Sequence, residues 1–268
     1  MVQSRDGKSL ITVGFVSIAV LFLIYARLGN AEITPSALSP IERLGVAFYV
    51  MMVLALGAIS YGLYQYHRHK FQSGKDDYFS VIAQVTWNKK SRRIFAATSI
   101  GYGVFFALTS GILVYQPDVT FSYHYNVQVP SAQIIPCCGE IGYVPKFIFY
   151  ITEHVGLQVI PINLVLQIAV SYLVGLNAAI ASNAFTILKR KTGMGSVAAA
   201  TGLFIACPTC AGTFLTLIVS ASGAVAFTLA ITQLQTLLIA ISIPLLVFTP
   251  IIMAKKIKSS GWRCRVEP

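Results

Sequence analysis

The sequence predicts an all-α integral membrane protein, a single domain over residues 1–268 that forms a bundle of six membrane-spanning helices. Three observations predict this class. Of the 268 residues, 56% are hydrophobic and 11% are charged, whereas soluble domains carry about 25% charged residues. Six uncharged apolar stretches are each long enough to cross a hydrocarbon core of about 30 Å. Lysine and arginine are distributed very unevenly between these stretches. Disordered, collagen-like, coiled-coil and small disulfide-rich classes are excluded by the same composition.

The six predicted spans are separated by one long loop and by several shorter segments. The spans cover residues 10–26, 44–66, 94–115, 157–188, 194–221 and 224–253, and the long loop covers residues 116–156. The first span follows Arg5 and Lys8 as a secretory signal would, and we expect it to remain in the protein as a helix. The fifth span is rich in Gly, Ala and Ser, which let neighbouring helices approach closely.

Polar but uncharged side chains collect in the fourth and sixth spans. They are Asn163, Gln167, Ser171, Asn177 and Asn183 in the fourth, and Thr228, Thr232, Gln233, Gln235, Thr236 and Ser242 in the sixth. One interpretation is hydrogen bonding between helices, because such bonds stabilise helix packing inside membranes. The alternative is a cavity for a quinone or another neutral substrate.

The positions of Lys and Arg predict the orientation, because cytoplasmic loops of membrane proteins are enriched in them. With both termini in the cytoplasm, 17 of the 20 basic residues lie inside, and only Arg27, Arg43 and Lys146 lie outside. Four acidic residues accompany the basic ones inside and five lie outside, so the inner side carries +13 and the outer side −2. We therefore expect a multi-pass protein of the plasma membrane.

The net charge of +11 also raises the question of a nucleic-acid partner. No nucleic-acid-binding module is recognisable, and the basic residues adjoin span ends, so we expect no nucleic acid and instead anionic lipid on the cytoplasmic face. Within Asp77–Trp87, aromatic and aliphatic residues recur at helical spacing, which predicts a short interfacial helix. Four basic residues follow it directly, namely Lys89, Lys90, Arg92 and Arg93.

Several functions are disfavoured by what the spans lack. No charged residue lies inside a predicted span, which argues against a proton-coupled pump or a carboxylate-based cation transporter. None of the four histidines stands at mid-span, where a pair could hold a haem between helices. The sequence also contains no phosphate-binding glycine motif between a strand and a helix.

The long outer loop contains two predicted elements. Residues Val119–Val129 alternate apolar and polar side chains without a break, which predicts a β-strand. Because the chain offers no second strand of comparable quality, we expect this one to pair with another subunit of a membrane complex or with an extracytoplasmic domain. A hairpin with Glu32–Pro40 is the alternative. Downstream, Val144–His154 is apolar and aromatic after Pro145, which predicts a short helix at the outer interface.

Four of the five cysteines form two pairs on the predicted outer side. Cys137 and Cys138 are adjacent in the long loop, and Cys207 and Cys210 lie in the fifth span as Cys-Pro-Thr-Cys. At 1.5 Å per residue from Met194, these two lie about 20 and 24 Å along that span, between the middle of the membrane and its outer face. Pro208 is expected to kink the helix, and the positive end of the second half would lower the pKa of a thiol there.

Three interpretations of the cysteines compete. The four thiols, with His154 as a further ligand, could bind Cu(I) or Zn, because Cys-x-x-Cys supplies two ligands from one turn. The pairs could instead exchange disulfides as a redox relay. The third interpretation is structural, with buried cysteines or a stabilising disulfide. A disulfide between adjacent cysteines closes a strained ring, so Cys137 and Cys138 suit two ligands, or thiols paired elsewhere, better than each other.

The Cys-Pro-Thr-Cys-Ala-Gly run and the Pro-Cys-Cys-Gly loop resemble motifs of uncharacterised archaeal polytopic membrane proteins. The resemblance implies a membrane protein and no particular activity. We expect a non-catalytic integral membrane subunit of a larger metalloenzyme or respiratory-type complex, with an outward-facing four-cysteine site that binds metal or holds a disulfide. The alternatives are a quinone-linked membrane thiol–disulfide oxidoreductase and a small-solute or metal permease.

Overall fold

The computed structural model describes residues 3–28, 38–72, 78–136, 142–189, 244 and 246–255. They form mostly helices and one small sheet. The helices are α1 Gln3–Leu28, α2 Leu38–Gln72, α3 Tyr78–Trp87, α4 Lys89–Thr109, α5 Phe121–Tyr125, α6 Pro161–Lys189 and α7 Leu246–Lys255. The strands are β1 Leu113–Tyr115, β2 Ser131–Ile135, β3 Lys146–Tyr150 and β4 Val155–Val159.

Three of the described helices are long and apolar enough to cross a membrane. Their spanning parts are Gly7–Arg27, Glu42–Gln72 and Pro161–Asn183. They confirm the first, second and fourth predicted spans as helices of membrane-spanning length. The fifth predicted span, 194–221, and most of the sixth, 224–253, lie outside the described residues, and α7 overlaps only the end of the sixth. The six-helix bundle and its orientation therefore stay predictions.

The third predicted span, 94–115, is only partly helical. Helix α4 ends at Thr109, and the last residues of the predicted span form strand β1. The chain leaves the helix at Gly111, whose φ of +71° lies in the left-handed region that glycine tolerates best. Leu113 and its neighbours then pair with β4. The apolar residues after Thr109 thus belong to a sheet rather than to the helix.

Contacts divide the chain into two compact units, and the first comprises Met1–His69 and Val104–Ile168. In it, α1 and α2 pack antiparallel through small residues. A Cβ on Gly62 would lie 2.9 Å from the carbonyl oxygen of Gly7, so only glycine permits this approach. Farther along the same pair, Ile18 packs with Ala55 and Ile59. The two helices therefore form one closely packed hairpin.

The first unit also contains the four-stranded antiparallel sheet, with strand order β1-β4-β3-β2. Strand β3 lies inside the sheet, because Phe149 pairs with Leu157 of β4 and with Ala132 of β2. Helix α5 packs against these strands through Phe121, which is 2% exposed. The Phe121 ring lies 5.4 Å from that of Tyr150, centroid to centroid. The sheet and α5 thus share a small aromatic core.

The predicted strand Val119–Val129 is wrong, because its centre is helix α5. Phe121 and Tyr125 alternate with polar residues, but they also stand four residues apart and so share one face of a helix. Both rings pack on Tyr150. Asn126 ends the helix in the left-handed region with a φ of 52°. Tertiary contacts with the sheet therefore override the local alternation.

The predicted helix Val144–His154 is also wrong, because this segment forms β3 and the turn that leads into β4. A short run of aromatic and β-branched residues such as Lys146–Tyr150 does not distinguish a strand from a buried helix by periodicity. Pairing decides it, since β2 lies on one side of β3 and β4 on the other. The long loop thus supplies its own partner strands, and the expectation that it offers none is corrected.

The second unit comprises Lys70–Gly103 and Ala169–Pro268. In it, α4 and α6 pack antiparallel at two matching small-residue steps. A Cβ on Gly175 would overlap the Oγ of Ser99, and a Cβ on Gly103 would lie 3.4 Å from the Oγ of Ser171. Each helix thus contributes a serine and a glycine four residues apart, the spacing that permits close helix approach in membranes.

Two asparagines of α6 bond to neighbouring helices in this unit. The Nδ2 of Asn177 donates to the carbonyl oxygen of Leu246 at 3.0 Å, and the Nδ2 of Asn183 donates to the Oγ of Ser91 at 2.6 Å. The hydrogen-bonding interpretation of the polar residues in the fourth span is therefore confirmed at these two positions.

Helix α3 confirms a helix where the sequence predicted one, over Asp77–Trp87, with Asp77 itself outside the described residues. Its buried Ile82 packs with Leu176, Ile180 and Ala254. The interfacial position of α3 stays a prediction.

Candidate functional site

Two tyrosine hydroxyls join the helices of the first unit to one end of the sheet. The Tyr25 hydroxyl of α1 donates to the carbonyl oxygen of Pro136 at 2.6 Å. The Tyr49 hydroxyl of α2 lies 2.7 Å from the carbonyl oxygens of both Pro145 and Val159, and its single hydrogen serves one of them at a time. This end of the sheet, where β2 finishes and β3 starts, is thus held against α1 and α2.

The aromatic side chains around these hydroxyls are themselves closely packed. Phe48 makes edge-to-face contacts with Tyr25 at 5.2 Å and with Tyr49 at 5.8 Å between ring centroids. Val144, just before β3, is buried in the same cluster with Met52. Such aromatic contacts contribute about 0.5–1.5 kcal/mol each beyond burial. Ring packing therefore already holds the two tyrosines in place, and their hydrogen bonds add to this.

Gly142 follows residues 137–141, the segment after β2, and is bonded to helix α6. Its carbonyl oxygen accepts a 3.0 Å hydrogen bond from the backbone N–H of Ile162, in the first turn of α6. Its φ of +88° is left-handed, and a Cβ there would lie 3.3 Å from the Cβ of Ile162. Glycine is therefore required both by the backbone conformation and by the close approach.

Residues 137–141 connect these two fixed points, with Pro136 bonded to α1 before them and Gly142 bonded to α6 after them. Cys137 and Cys138 belong to this segment and lie outside the described residues, as do Cys207 and Cys210 of the fifth predicted span. Their proposed grouping, and the Cu or Zn expected there, stay predictions. Residues 137–141 are called the cysteine loop. The structure describes its two attachment points, Pro136 and Gly142.

His154, the fifth predicted ligand, lies in the turn between β3 and β4. Its Nδ1 is 3.2 Å from the carbonyl oxygen of Gln116 and 3.0 Å from that of Val119. Carbonyl oxygens only accept hydrogen bonds, so Nδ1 carries a proton, and in the neutral ring Nε2 is the nitrogen with a free electron pair. The ring therefore joins the β3–β4 turn to the segment before α5.

His154 and the attachment points of the cysteine loop lie at opposite ends of the β2–β3 hairpin. Pro136 follows the end of β2 that pairs with Lys146, whereas His154 follows Tyr150 at the far end of β3. A five-residue strand separates its ends by about 13 Å. The structure thus does not bring His154 beside Pro136 or Gly142, and its role as a ligand of the cysteine site stays a prediction.

Glu153 caps helix α5 from the same turn. Its carboxylate accepts the backbone N–H of Ser122 at 3.0 Å, and its carbonyl oxygen accepts that of Phe121 at 2.9 Å. These bonds satisfy two of the N–H groups that a helix leaves free at its start. The hydrogen bonds from Ser122, with a smaller contribution from the neighbouring His154, lower the pKa of the Glu153 carboxyl. Glu153 and His154 therefore hold α5 on the sheet.

Within the described ranges, no group of three or more His, Cys, Asp and Glu side chains could hold a metal ion. The sequence reasoning also did not single out Tyr25 and Tyr49. A signal for them existed, since tyrosines are enriched where membrane helices meet the aqueous interface. Comparisons with protein-family models, with curated proteins and with solved structures find no match for this chain. Its function is therefore inferred from its own residues.

Proposed function

We propose that this chain is a non-catalytic integral membrane subunit of a larger membrane enzyme complex and that it holds a thiol site on the outer side of the membrane. The site consists of Cys137, Cys138, Cys207 and Cys210. Three described helices of membrane-spanning length support the membrane part of the proposal. The excess of Lys and Arg on the predicted inner side supports the outward direction of the long loop.

The observation that carries the proposed site is the attachment of the cysteine loop at both ends. Pro136 is bonded to Tyr25 near the end of α1, and Gly142 is bonded to Ile162 at the start of α6. In the proposed orientation these helix ends lie at the outer surface. Cys207 and Cys210 are predicted to lie between the middle of the membrane and its outer face. The proposal therefore assigns both pairs to the predicted outer side of the membrane.

Thiolates are the preferred ligands of Cu(I) and common ligands of Zn. Metal binding would use all four thiols, two from adjacent residues and two from one turn of helix. We assign His154 a structural role, because its Nδ1 bonds to two backbone carbonyls at the other end of β3. The proposed ligands are therefore the four cysteines, and His154 stays a predicted reserve ligand.

Metal analysis of the purified protein tests this proposal. The protein is loaded with Cu(I) or Zn, freed of excess metal, and compared with the variants Cys137→Ser, Cys138→Ser, Cys207→Ser and Cys210→Ser. Cys264→Ser is the matched control, since Cys264 lies in the basic tail away from both pairs in the sequence. We expect each of the four variants to lose most of the bound metal and the control to keep it. Equal metal content in all five variants would contradict the site.

The alternatives predict different results. A membrane thiol–disulfide oxidoreductase would retain no metal, and trapping its thiols at defined redox potentials would show Cys207 and Cys210 passing between thiol and disulfide. A permease needs polar side chains that line a path. Asn177 and Asn183 instead bond to neighbouring helices, which favours packing over transport.

Binding of the partner subunits is proposed at the loop rather than in the membrane. Tyr123 of α5 is 91% exposed and Tyr115 of β1 is 69% exposed, and large exposed aromatic side chains are typical of protein interfaces. A partner that meets residues 119–129 would contact a helical turn rather than add a strand. Isolation of the intact complex from its native membrane, with and without Tyr123→Asp, tests this part: an unchanged subunit composition would contradict it.

A further inference from the structure

The junction between α3 and α4 is the most strongly charged surface that the structure describes. This junction, called the α3–α4 elbow, comprises Tyr78–Arg93: helix α3, the single residue Asn88 and the first turn of α4. Four basic side chains stand within five consecutive positions, and all four are exposed, namely Lys89, Lys90, Arg92 and Arg93. The elbow is therefore a compact cluster of four positive charges open to its surroundings.

Nothing described in the second unit neutralises this cluster. Its described ranges, 70–72, 78–103, 169–189, 244 and 246–255, contain no Asp or Glu at all. Asp76 and Asp77 precede the elbow in the sequence, but seven basic residues fall between Arg68 and Arg93, which leaves a surplus of five positive charges. A negative partner from outside the chain would complement that surplus.

The position of the charges on the helix makes the need for an anion stronger. Basic residues normally stabilise the last turn of a helix, because the first turn carries the positive end of the helix dipole. Here all four occupy the first turn and a half of α4. Asn88 satisfies only one of the free N–H groups through its side chain, the backbone N–H of Lys90 at 3.3 Å. At the elbow, the four positive charges therefore repel one another, and the positive end of the α4 dipole repels them as well.

Exposed aromatic rings lie at the start of α3, at the other end of that helix from the basic residues. Helix α3 buries Ser80, Ile82 and Ala83, which are at most 5% exposed, whereas Tyr78 and Phe79 are 38% and 46% exposed. A helix of ten residues with one buried face, exposed rings and adjacent basic residues has the composition of a segment that lies in a membrane interface. Lys255 follows Ala254, which packs on Ile82, and adds a further exposed positive charge at this end of the unit.

We propose that the α3–α4 elbow binds the phosphate groups of anionic phospholipids in the inner leaflet. The four basic side chains of α4 contact the phosphates, and Tyr78 and Phe79 lie among the glycerol and upper acyl groups. The exposed rings favour a lipid over free phosphate, because aromatic side chains are enriched at the headgroup level of membranes, whereas an inorganic ion gives them no role. This inference is independent of the proposed thiol site. It concerns the predicted inner side of the membrane, and it involves none of the four cysteines.

The test uses the full-length protein in a neutral detergent, titrated with phosphatidylglycerol or phosphatidylcholine. Retained lipid is counted by native mass spectrometry, and the unfolding midpoint is measured in parallel. We expect phosphatidylglycerol to be retained and to raise the midpoint, whereas phosphatidylcholine does neither. In the variant Lys89→Gln, Lys90→Gln, Arg92→Gln, Arg93→Gln, we expect the affinity for phosphatidylglycerol to fall about fivefold per charge removed.

Two further variants make the result specific to the elbow. Arg27→Gln with Arg43→Gln removes two exposed charges from the first unit, and this control should bind phosphatidylglycerol as the unaltered protein does. Lys89→Arg, Lys90→Arg, Arg92→Lys, Arg93→Lys keeps every charge and should also bind, which keeps the test decisive if the glutamine variant fails to fold. Equal stabilisation by inorganic phosphate, equal binding of both lipids, or undiminished binding by the glutamine variant would overturn the proposal.

Discussion

The hydroxyl of Tyr25 donates a 2.6 Å hydrogen bond to the carbonyl oxygen of Pro136, which precedes Cys137 directly in the chain. These two residues are 111 positions apart, and the bond joins the end of the first membrane helix to the start of the cysteine loop. Tyr25 is 4% exposed and its ring packs against Phe48. The donor of this bond is therefore a buried side chain of the first unit.

Replacing Tyr25 by Phe is expected to lower the free energy of unfolding by about 1 kcal/mol, because a part-buried carbonyl oxygen loses its donor while the ring stays in place. If the bond also positions the cysteine loop, Cys137 should react faster with a thiol reagent in this variant. Unfolding midpoints and labelling rates measure the two effects. Tyr61→Phe is the control, since Tyr61 is 57% exposed on α2. Identical behaviour of the two variants would contradict the assigned role.

Gly175→Ala is expected to destabilise the protein by about 1–3 kcal/mol, the usual effect of an extra carbon in a packed interior. The new Cβ would overlap the Oγ of Ser99 and would lie 2.9 Å from the backbone oxygen of Phe95. Gly101→Ala is the matched control on α4, because nothing lies within 4 Å of a Cβ there. Thermal unfolding of the two variants in the same detergent checks this prediction. A larger loss for Gly101→Ala would show that α4 and α6 do not pack in this register.

Adding Ser99→Ala to Gly175→Ala separates the two contacts. The double variant should recover only part of the lost stability, because the side-chain overlap is relieved while the backbone oxygen of Phe95 stays where it was. Full recovery would place the whole effect on Ser99, and no recovery would place it on Phe95.

The sequence predicted the long helices correctly because a membrane span is defined by local composition alone. A helix such as Glu42–Gln72 needs only enough consecutive apolar residues. The small sheet depends on pairing between segments, and there the local pattern failed. Phe121 and Tyr125 alternate as in a strand and are also four residues apart as in a helix, so only their packing on Tyr150 decides between the two.

The sequence shows which cysteines the candidate site would contain, but it does not show the hydrogen bonds at the two ends of the loop. Adjacent cysteines and a Cys-x-x-Cys motif are visible in any reading of the sequence. The hydrogen bonds that hold the loop join residues of distant segments, Tyr25 with Pro136 and Ile162 with Gly142. His154 was grouped with the cysteines because all were expected on one side of the membrane. Its distance from Pro136 and Gly142 follows from the pairing of β2 with β3, which the local sequence pattern does not predict.

The stabilising effect of Glu153 is expected to depend on pH. Hydrogen bonds from Ser122 lower the pKa of this carboxyl below 4.5 in the folded protein. A group with a lowered folded-state pKa contributes stability that is present above its unfolded-state pKa and is lost as the pH falls through the folded-state pKa. The unaltered protein should therefore be more stable than Glu153→Gln at pH 7, and this difference should disappear in acid. Unfolding midpoints between pH 7 and pH 3 measure it.

Asp118→Asn is the control for this titration, because Asp118 is an exposed carboxyl of the same loop. This variant removes the same charge but leaves the hydrogen bond between Glu153 and Ser122 intact. A Glu153→Gln difference that persists unchanged at pH 3 would mean that the cap does not depend on the ionised carboxylate.

Asn177→Leu tests whether the polar side chains of α6 hold helices together or line a path for a solute. The Asn177 side chain is 5% exposed, and its Nδ2 donates to the carbonyl oxygen of Leu246 at 3.0 Å and to that of Leu173 at 2.9 Å. Loss of an interhelical hydrogen bond in a membrane costs about 0.6–2 kcal/mol. The unfolding midpoint should therefore fall by the amount that corresponds to this loss of free energy. Asn163→Leu, in the first turn of the same helix, is the control and should have a smaller effect. If Asn177→Leu were instead as stable as the unaltered protein, the bond to Leu246 would contribute nothing to packing, and a solute path beside α6 would regain support.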